Sequence, residues 1–481
     1  MDKAAKADGK GSGKLAVRTK LGFGVADLGG NLFFTAMGFW SMNYLTDTVG
    51  IPAALAGMAV MVGKIWDAVT DPMMGYISDR TRSPLGRRRP YMIFGALPLL
   101  LSSWLFFTAP SLQGPAALTA WAIATLCLLN TAYTVVNIPY GSLTPELTKD
   151  YHERTSLNGY RFGFAVIGTI LGAAIVLPVV GIFGDKKAGF SAVGLLFGAV
   201  MAVTALITGI SVRERPHGGD RPQGFFKTYA VVFKNKAYLV ILFTYMLNLA
   251  AINFLSGILV YYMKYVYDNE GLTTMAMVLL LVIAMAFIPI SVLVSKRIGK
   301  KRTYQICFTL MALAGMGIFF FGHTIGPAFT LVMMSIAGVG LGFGYVPPFA
   351  MMPDTIEAEA QKTGKRREGA YYGIWTFIAK LGQSLATATM GFILAIAQYV
   401  PDLPQGPKAI FAIRLLVGPI PAAIMVAALI LVEFYPIDEK AYAAIMAGGA
   451  EREAAAADKG GQAGRPTEGD GAGKTPGASR L

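Results

Sequence analysis

Long apolar stretches and short polar ones alternate along the whole chain. Twelve of the apolar stretches reach the roughly 20 residues that a helix needs to cross a bilayer. They are Leu21–Thr46, Pro52–Ile77, Tyr91–Ala109, Ala116–Pro139, Leu157–Phe183, Phe190–Val212, Ala237–Tyr265, Thr273–Val294, Thr303–Gly322, Pro327–Pro348, Ala370–Tyr399 and Ala409–Phe434. The polar stretches come in two alternating kinds. Those after spans 2, 4, 6, 8 and 10 are rich in Lys and Arg, as in Asp79-Arg80-Thr-Arg82-Ser-Pro-Leu-Gly86-Arg87-Arg88-Arg89 and Lys296-Arg297-Ile-Gly-Lys300-Lys301-Arg302. The intervening ones, such as Asp47–Ile51 and Asp268–Gly271, are short and carry few bases. Basic loops stay in the cytoplasm. The pattern therefore predicts a multi-pass protein of the cell (inner) membrane with both termini cytoplasmic.

The longest internal polar stretch, 213–236, divides the spans six and six. It holds a short amphipathic segment, from Gly224 to Lys234, that reads as a helix lying on the membrane surface. The expected plan is a cytoplasmic tail (1–20), a six-helix bundle (21–212), a cytoplasmic loop (213–236), a second six-helix bundle (237–436) and a largely disordered cytoplasmic tail (437–481). The two bundles repeat each other weakly. Span 4 ends in Asn137-Ile-Pro139-Tyr-Gly-Ser-Leu-Thr-Pro145-Glu146, and span 10 in Val346-Pro-Pro348-Phe-Ala-Met-Met-Pro353-Asp354. Two parallel six-span repeats predict an all-α membrane protein of the major facilitator fold, with a solute site between the halves near the midplane.

Composition agrees with this picture. Only 15% of the 481 residues are charged and 54% are hydrophobic, whereas soluble domains carry about 25% charged residues. The net charge of +14 follows the alternate loops, which is membrane topology and not a nucleic-acid footprint. Cys127 and Cys307 sit in apolar runs and read as small buried hydrophobes. His152, His217 and His323 are too scattered to suggest a metal site, and the first twenty residues lack the apolar core of a cleaved signal peptide. No phosphate-binding loop and no nucleophile–base constellation stands out, so neither an enzyme nor an ATP-driven pump is expected, and no cofactor.

The chemistry concentrates in span 2. Lys64, Asp67 and Asp71 interrupt an otherwise apolar stretch, each at a cost of about 2.5–3.5 kcal/mol at the centre of a membrane helix. The spacings i, i+3 and i, i+4 put all three on one helix side, with Pro72 weakening the ladder just below. One lysine, Lys64, leaves a negative charge over; a metal cation, a proton or a distant base must match it. Lys380, about three turns inside span 11, is the obvious remote partner. Near it lie Trp375, Gln383 and Ser384, polar and aromatic groups suited to a sugar ring or to packing. Arg161 at the start of span 5 either snorkels to the surface or reaches inward to a substrate or carboxylate. Asn31 and Asn137 either bind hydroxyls or join helices. Asp79 with Arg80, and Asp354 with Glu357 and Glu359, sit at the basic side, where they read as salt bridges gating that side or as solvated loop faces.

The run Gly63-Lys-Ile-Trp-Asp67-Ala-Val-Thr-Asp71-Pro-Met-Met-Gly75 resembles the glycoside–pentoside–hexuronide:cation symporters, the melibiose-permease group of major facilitators. Asn43-Tyr-Leu-Thr-Asp47-Thr-Val-Gly, Tyr133-Thr-Val-Val-Asn-Ile-Pro-Tyr and Phe377-Ile-Ala-Lys380 support it. The resemblance spans Leu21 to Pro436 and implies that Asp67 and Asp71, with Thr134, bind a coupling cation. Thr70 stands beside the second aspartate where the sodium-using type has asparagine, so Na⁺ and H⁺ both stay open. Arg161 and Lys380 match the family's charged residues of spans 5 and 11. Asn31 and Asn137 stand where galactoside carriers have aspartates, and Gly141 where they have a stacking tryptophan. The expected protein is thus a monomeric symporter that moves a glycoside or oligosaccharide with Na⁺ or H⁺. A lysolipid or other amphiphile is the alternative cargo, and an uncoupled facilitator or exporter the alternative mode.

Overall fold

The computed structural model describes residues 15–147, 151–212, 214, 232–363, 368–437, 441, 442, 444 and 445. The tails beyond these, most of the central loop with its amphipathic segment, and the end of the basic loop after span 10 lie outside the described residues. Among those described there is no strand. The twelve predicted spans appear as twelve helical rods. The first, α1, runs Val17–Gly24 and Ala26–Asn43 and closes in a π-helical turn, Tyr44–Thr48. Then come α2 (Ala53–Arg80), α3 (Arg89–Phe107), α4 (Pro115–Leu147), α5 (Tyr151–Ala174 with Val176–Ile182) and α6 (Lys186–Ser211). The second set is α7 (Lys236–Tyr267), α8 (Leu272–Ile298), α9 (Lys300–Gly317 with the π turn Ile318–Gly322), α10 (Pro327–Thr363), α11 (Glu368–Ile396) and α12 (Pro407–Val417 with Pro419–Glu433).

Among the described residues, ten helices are long and apolar enough to cross a membrane, and α5 makes an eleventh if its two pieces, bent by 45°, count as one span. The remaining rod, α1, is too polar to qualify. It carries Asp27, Asn31, Thr35, Ser41 and Asn43, and the last three are buried against protein.

Proline does not end helices where the sequence suggests. α2 runs through Pro72, and α10 through Pro347, Pro348 and Pro353 to Thr363. Packed neighbours make up for the lost backbone bonds inside a membrane protein. The breaks in α5 and α12 fall four residues before a proline, where the ring collides with the carbonyl of residue i−4. Pro178 faces Ala174, where α5 bends, and Pro421 faces Val417, where α12 breaks.

Packing repeats between the halves. In the first, α1 packs on α5 and α6, α2 on α4, and α3 on α4 and α6; in the second, α7 packs on α11 and α12, α8 on α10, and α9 on α10 and α12. Across the divide, α2 meets α11, α5 meets α8, and α1 meets α7. Adding six to a helix number converts the first list into the second and exchanges α2·α11 with α5·α8. That is the signature of two parallel repeats about one axis.

Small residues set the closest approaches. A Cβ on Gly391 of α11 would lie 3.1 Å from the Gly57 Cα of α2, and one on Gly57 would lie 3.2 Å from the Ala388 Cα. A Cβ on Gly172 of α5 would lie 2.6 Å from the Leu32 carbonyl of α1. The first contact joins the halves on the side away from the chain termini, the distal side. The second seats α5 on α1 and so positions Arg161.

Candidate functional site

The α2 carboxylates face α4 and α11. On α4, Asn130 donates to the Gly63 carbonyl at 3.1 Å, which fixes the register of the two helices one turn before Asp67. One turn further, Thr134 is fully buried, and its hydroxyl lies 2.8 Å from Asp67 Oδ1 and 2.9 Å from Asp71 Oδ1. From the other half, Lys380 Nζ lies 2.5 Å from Asp67 Oδ2 and makes a second short bond to Asp71 Oδ2. One hydroxyl and one ammonium thus each bridge both carboxylates.

Two assignments change here. Lys64 keeps its charge within electrostatic reach of Asp67 but makes its hydrogen bond elsewhere. With the Asn253 amide oriented to satisfy its neighbours, Oδ1 of that α7 residue accepts from Lys64 Nζ at 3.2 Å. The i, i+3 spacing places Lys64 on the same helix side, but its long stem carries the charge across to α7. Thr70 gives its hydroxyl to its own helix, at the Asp67 carbonyl, 3.2 Å away, and so does not face the carboxylates. Lys380 joins the aspartates as its place in span 11 suggests, because two carboxylates attract it more strongly than any neutral group nearby. The donor set of Asp67, Asp71 and Thr134 is all oxygen, which suits a hard cation. Among the described residues no group of three or more His, Cys, Asp or Glu converges as a transition-metal site.

A second charged cluster lies in the first half. Arg161 on α5 grips Asp27 on α1 with both arms of its guanidinium, Nε to Oδ2 at 2.6 Å and Nη2 to Oδ1 at 3.2 Å. Tyr140 on α4 donates to the same Oδ2 at 2.6 Å. Arg161 therefore reaches inward and does not snorkel. Asp27 is absent from the sequence-derived set of site residues. The available signal was a carboxylate inside the first apolar span, Leu21–Thr46, which holds no base. Asn31 turns back to the Asp27 carbonyl at 2.8 Å. The Asn137 side chain stays near Gly30 and Tyr133, where a Cβ on Gly30 would lie 3.8 Å from Asn137 Oδ1 and 3.5 Å from the Tyr133 hydroxyl. Tyr133 stacks on Phe33 with centroids 4.3 Å apart. Its hydroxyl lies within electrostatic reach of Asp67, Asp71 and Asp27. Trp375 is 4% exposed and stacks on Tyr245 at 4.4 Å, a packing role. Gln383 is buried beside Asn253 and Thr387.

The distal side carries bonds between the halves that the sequence did not single out. Asp47, at the end of α1, accepts from Lys264 at 2.5 Å, Tyr265 at 3.2 Å and Tyr399 at 2.6 Å. Asp402 bridges Lys264 at 2.7 Å and Lys186 at 3.0 Å. Thr46 and Tyr261 share a bond of 2.7 Å. On the side of the termini, the residues predicted to gate pair within one half. Asp79 takes Arg88 at 3.0 Å and Arg87 at 3.9 Å, not Arg80, which lies over the Tyr76 ring at 3.7 Å. Asp354 pairs with Lys300, and Glu357 accepts from Gln361 at 3.3 Å.

Comparison with known proteins fits this geometry. The family model described as MFS/sugar transport protein matches residues 22–439. A putative sulfoquinovose importer of Escherichia coli (strain K12) is 30% identical over 447 residues, 90% of this chain and 93% of that protein. The isoprimeverose transporter of Lactiplantibacillus pentosus is 28% identical over 428 residues, 87% and 88% of the two chains. Among solved structures, the nucleoside transporter NupG superposes with a TM-score of 0.61 at 15% identity, covering 86% of this chain and 99% of that one. That likeness is one of fold.

Proposed function

Because the chain belongs to the MFS/sugar transport protein family, we propose that it is a secondary active sugar transporter that couples a glycoside to Na⁺ or H⁺. The observation that carries this reading is the Asp67–Asp71–Thr134–Lys380 cluster. It joins the two halves at one point. A cation entering it competes with the Lys380 ammonium for the same carboxylate oxygens. The bond between the halves is then exchanged for a bond to the ion. The mobile charge and the relative position of the halves become linked, which is what coupling requires. Sugar binds between the halves, on the wall formed by Asn31, Asn137, Tyr133, Tyr140 and Arg161. Cation and sugar must strengthen each other's binding by the same factor.

With the termini in the cytoplasm of an inner-membrane protein, the Asp47–Lys264–Asp402 network closes the external side. Alternating access then consists of breaking that network and forming contacts at the opposite end.

Purified protein in liposomes tests this. Radiolabelled glycosides should accumulate under an imposed Na⁺ or proton gradient, and lysolipid serves as the comparison cargo. Asp67→Asn and Asp71→Asn should each abolish gradient-driven accumulation while the protein still inserts and folds. Undiminished accumulation in either variant overturns cation coupling at this cluster. Exchange without accumulation in the wild type makes the protein a facilitator.

A further inference from the structure

We propose that Asn253, on α7 of the second half, is a positioning residue for the cation site: it holds the Lys64 ammonium off Asp67, so that a monovalent metal cation replacing Lys380 meets carboxylate oxygens with no second ammonium bonded to them. This rests on the cation-coupling reading above and adds a residue of the opposite half to it.

The amide is oriented by α11. The Thr387 hydroxyl donates to the Gln383 carbonyl of its own helix at 3.1 Å. Its hydrogen is spent there, so toward Asn253 it accepts. The Asn253 nitrogen therefore points to α11, 2.7 Å from the Thr387 hydroxyl and 3.3 Å from the Gln383 carbonyl. That leaves Oδ1 turned toward α2, where it accepts from Lys64 Nζ at 3.2 Å. Asn253 is buried. Turning the amide over would lose these bonds and set its N–H groups against the Lys64 ammonium. The two helices are also held at this height by shape. A Cβ on Gly57, about two turns before Lys64 on α2, would lie 3.0 Å from the Thr387 carbonyl.

Lys64 has one other acceptor in view. Lys64 and Asp67 are i and i+3 on α2 and share a helix side, and the Lys64 charge lies within electrostatic reach of Asp67 and of Lys380. In the structure Asp67 Oδ1 is taken by Thr134 and Oδ2 by Lys380. A cation that enters there exchanges places with one ammonium. With Lys64 bonded to Asp67 as well, it would have to displace two. A neutral amide suits the task of preventing this. It satisfies an N–H of Lys64, which an unpartnered buried ammonium needs, and adds no charge of its own to compete with the aspartates for the ion.

Full-length purified protein is titrated with NaCl and with LiCl at constant ionic strength and fixed pH, and thermal unfolding is followed. The wild type should be stabilised by one or both ions. Asn253→Leu removes the acceptor and should raise the concentration for the half-maximal shift by about tenfold or more, because Lys64 then falls back on Asp67. Adding Lys64→Gln to Asn253→Leu should restore the wild-type value, and Asn253→Asp, which keeps an acceptor of the same shape, should rescue it too. If Asn253→Leu does not fold, Asn253→Val carries the same expectation. An unchanged half-maximal concentration in the Leu or Val variant overturns the proposal. So does a loss that persists when Lys64→Gln is added, which is what a purely structural role of Asn253 produces. A wild type that responds to neither ion also overturns it. The transport reading is judged separately, by gradient-driven accumulation of sugar in liposomes, so its failure is distinguished from failure of the Asn253 assignment.

Discussion

Asp71 and Lys380, 309 positions apart, are hydrogen-bonded to each other across the divide between the two six-helix halves. The second carboxylate, Asp67, shares the same ammonium. Removing Lys380 leaves two adjacent carboxylates with no base bonded to them. Loss of one partner from a buried ion pair costs about 3–5 kcal/mol, and these side chains keep only 12–20% exposure. Lys380→Met should therefore unfold at lower temperature and lose gradient-driven uptake. Its melting temperature should also respond more steeply to Na⁺ or to acidification than the wild type's, because the ion takes over the role of the ammonium. An equal or weaker response means that the site does not take a cation in place of lysine.

Thr134 donates toward both carboxylates from a fully buried position. A hydrogen bond to a charged group contributes about 1.5–3 kcal/mol. Thr134→Val should weaken the apparent cation affinity by tenfold or more, and Thr134→Ser should restore most of it. The check is the cation concentration that gives half-maximal uptake.

The distal network should hold the halves together on that side. Asp47 is almost entirely covered, with 3% of its side chain exposed, and its loss breaks bonds to Lys264, Tyr265 and Tyr399 at once. Asp47→Asn should shift the population toward the state open on that side by at least tenfold, which corresponds to about 1.4 kcal/mol. The measurement is the rate at which an impermeant thiol reagent, added from that side, labels a cysteine at Gly38, where a side chain meets nothing within 4 Å. Cys127 and Cys307 are replaced by alanine beforehand.

Gly391→Val tests the same closure by shape. Its side chain would enter the space held by Ala53 and Gly57 of α2, and overpacking costs about 1–3 kcal/mol. The same Gly38 cysteine should label faster, although no charge has been changed. Unaltered labelling in both variants removes the distal contacts from the gating scheme.

Asp402 lies in the distal loop, outside the spans. Burial raises its pKa, but the bonds and charges of Lys264 and Lys186 outweigh this and hold the carboxyl below the usual range. A depressed folded value means that its contribution is fully present above the unfolded pKa of about 3.9 and fades as pH falls through the lower folded value. Between neutral pH and pH 5, Asp402→Asn should melt at a constant interval below the wild type. The interval should shrink only as the pH drops below about 4. A gap that closes already near pH 6 assigns the loop's stability to another group.

Much of this protein was legible in one dimension. Twelve apolar runs of spanning length, the alternation of basic loops and the similar ends of spans 4 and 10 follow from what a bilayer demands of any helix, and the fold follows from them. The expense of Asp67 and Asp71 in an oily stretch marked them without any structure. Long-range pairing was only partly legible. Lys380 could be matched to the aspartates because both were costly and nothing else was available. Asp27 sat near the start of a span where a carboxylate is cheaper, and Asp47 at its end, so neither stood out until folding placed Arg161 and Lys264 against them. Lys64 and Thr70 show the converse: helix periodicity states which side a residue is on, but where a long stem or a rotatable hydroxyl ends is decided by neighbours. The sequence by itself determined the spans, the repeat and the site of unbalanced charge. Only the tertiary structure decided which charge answers which, because those choices depend on contacts between helices hundreds of residues apart.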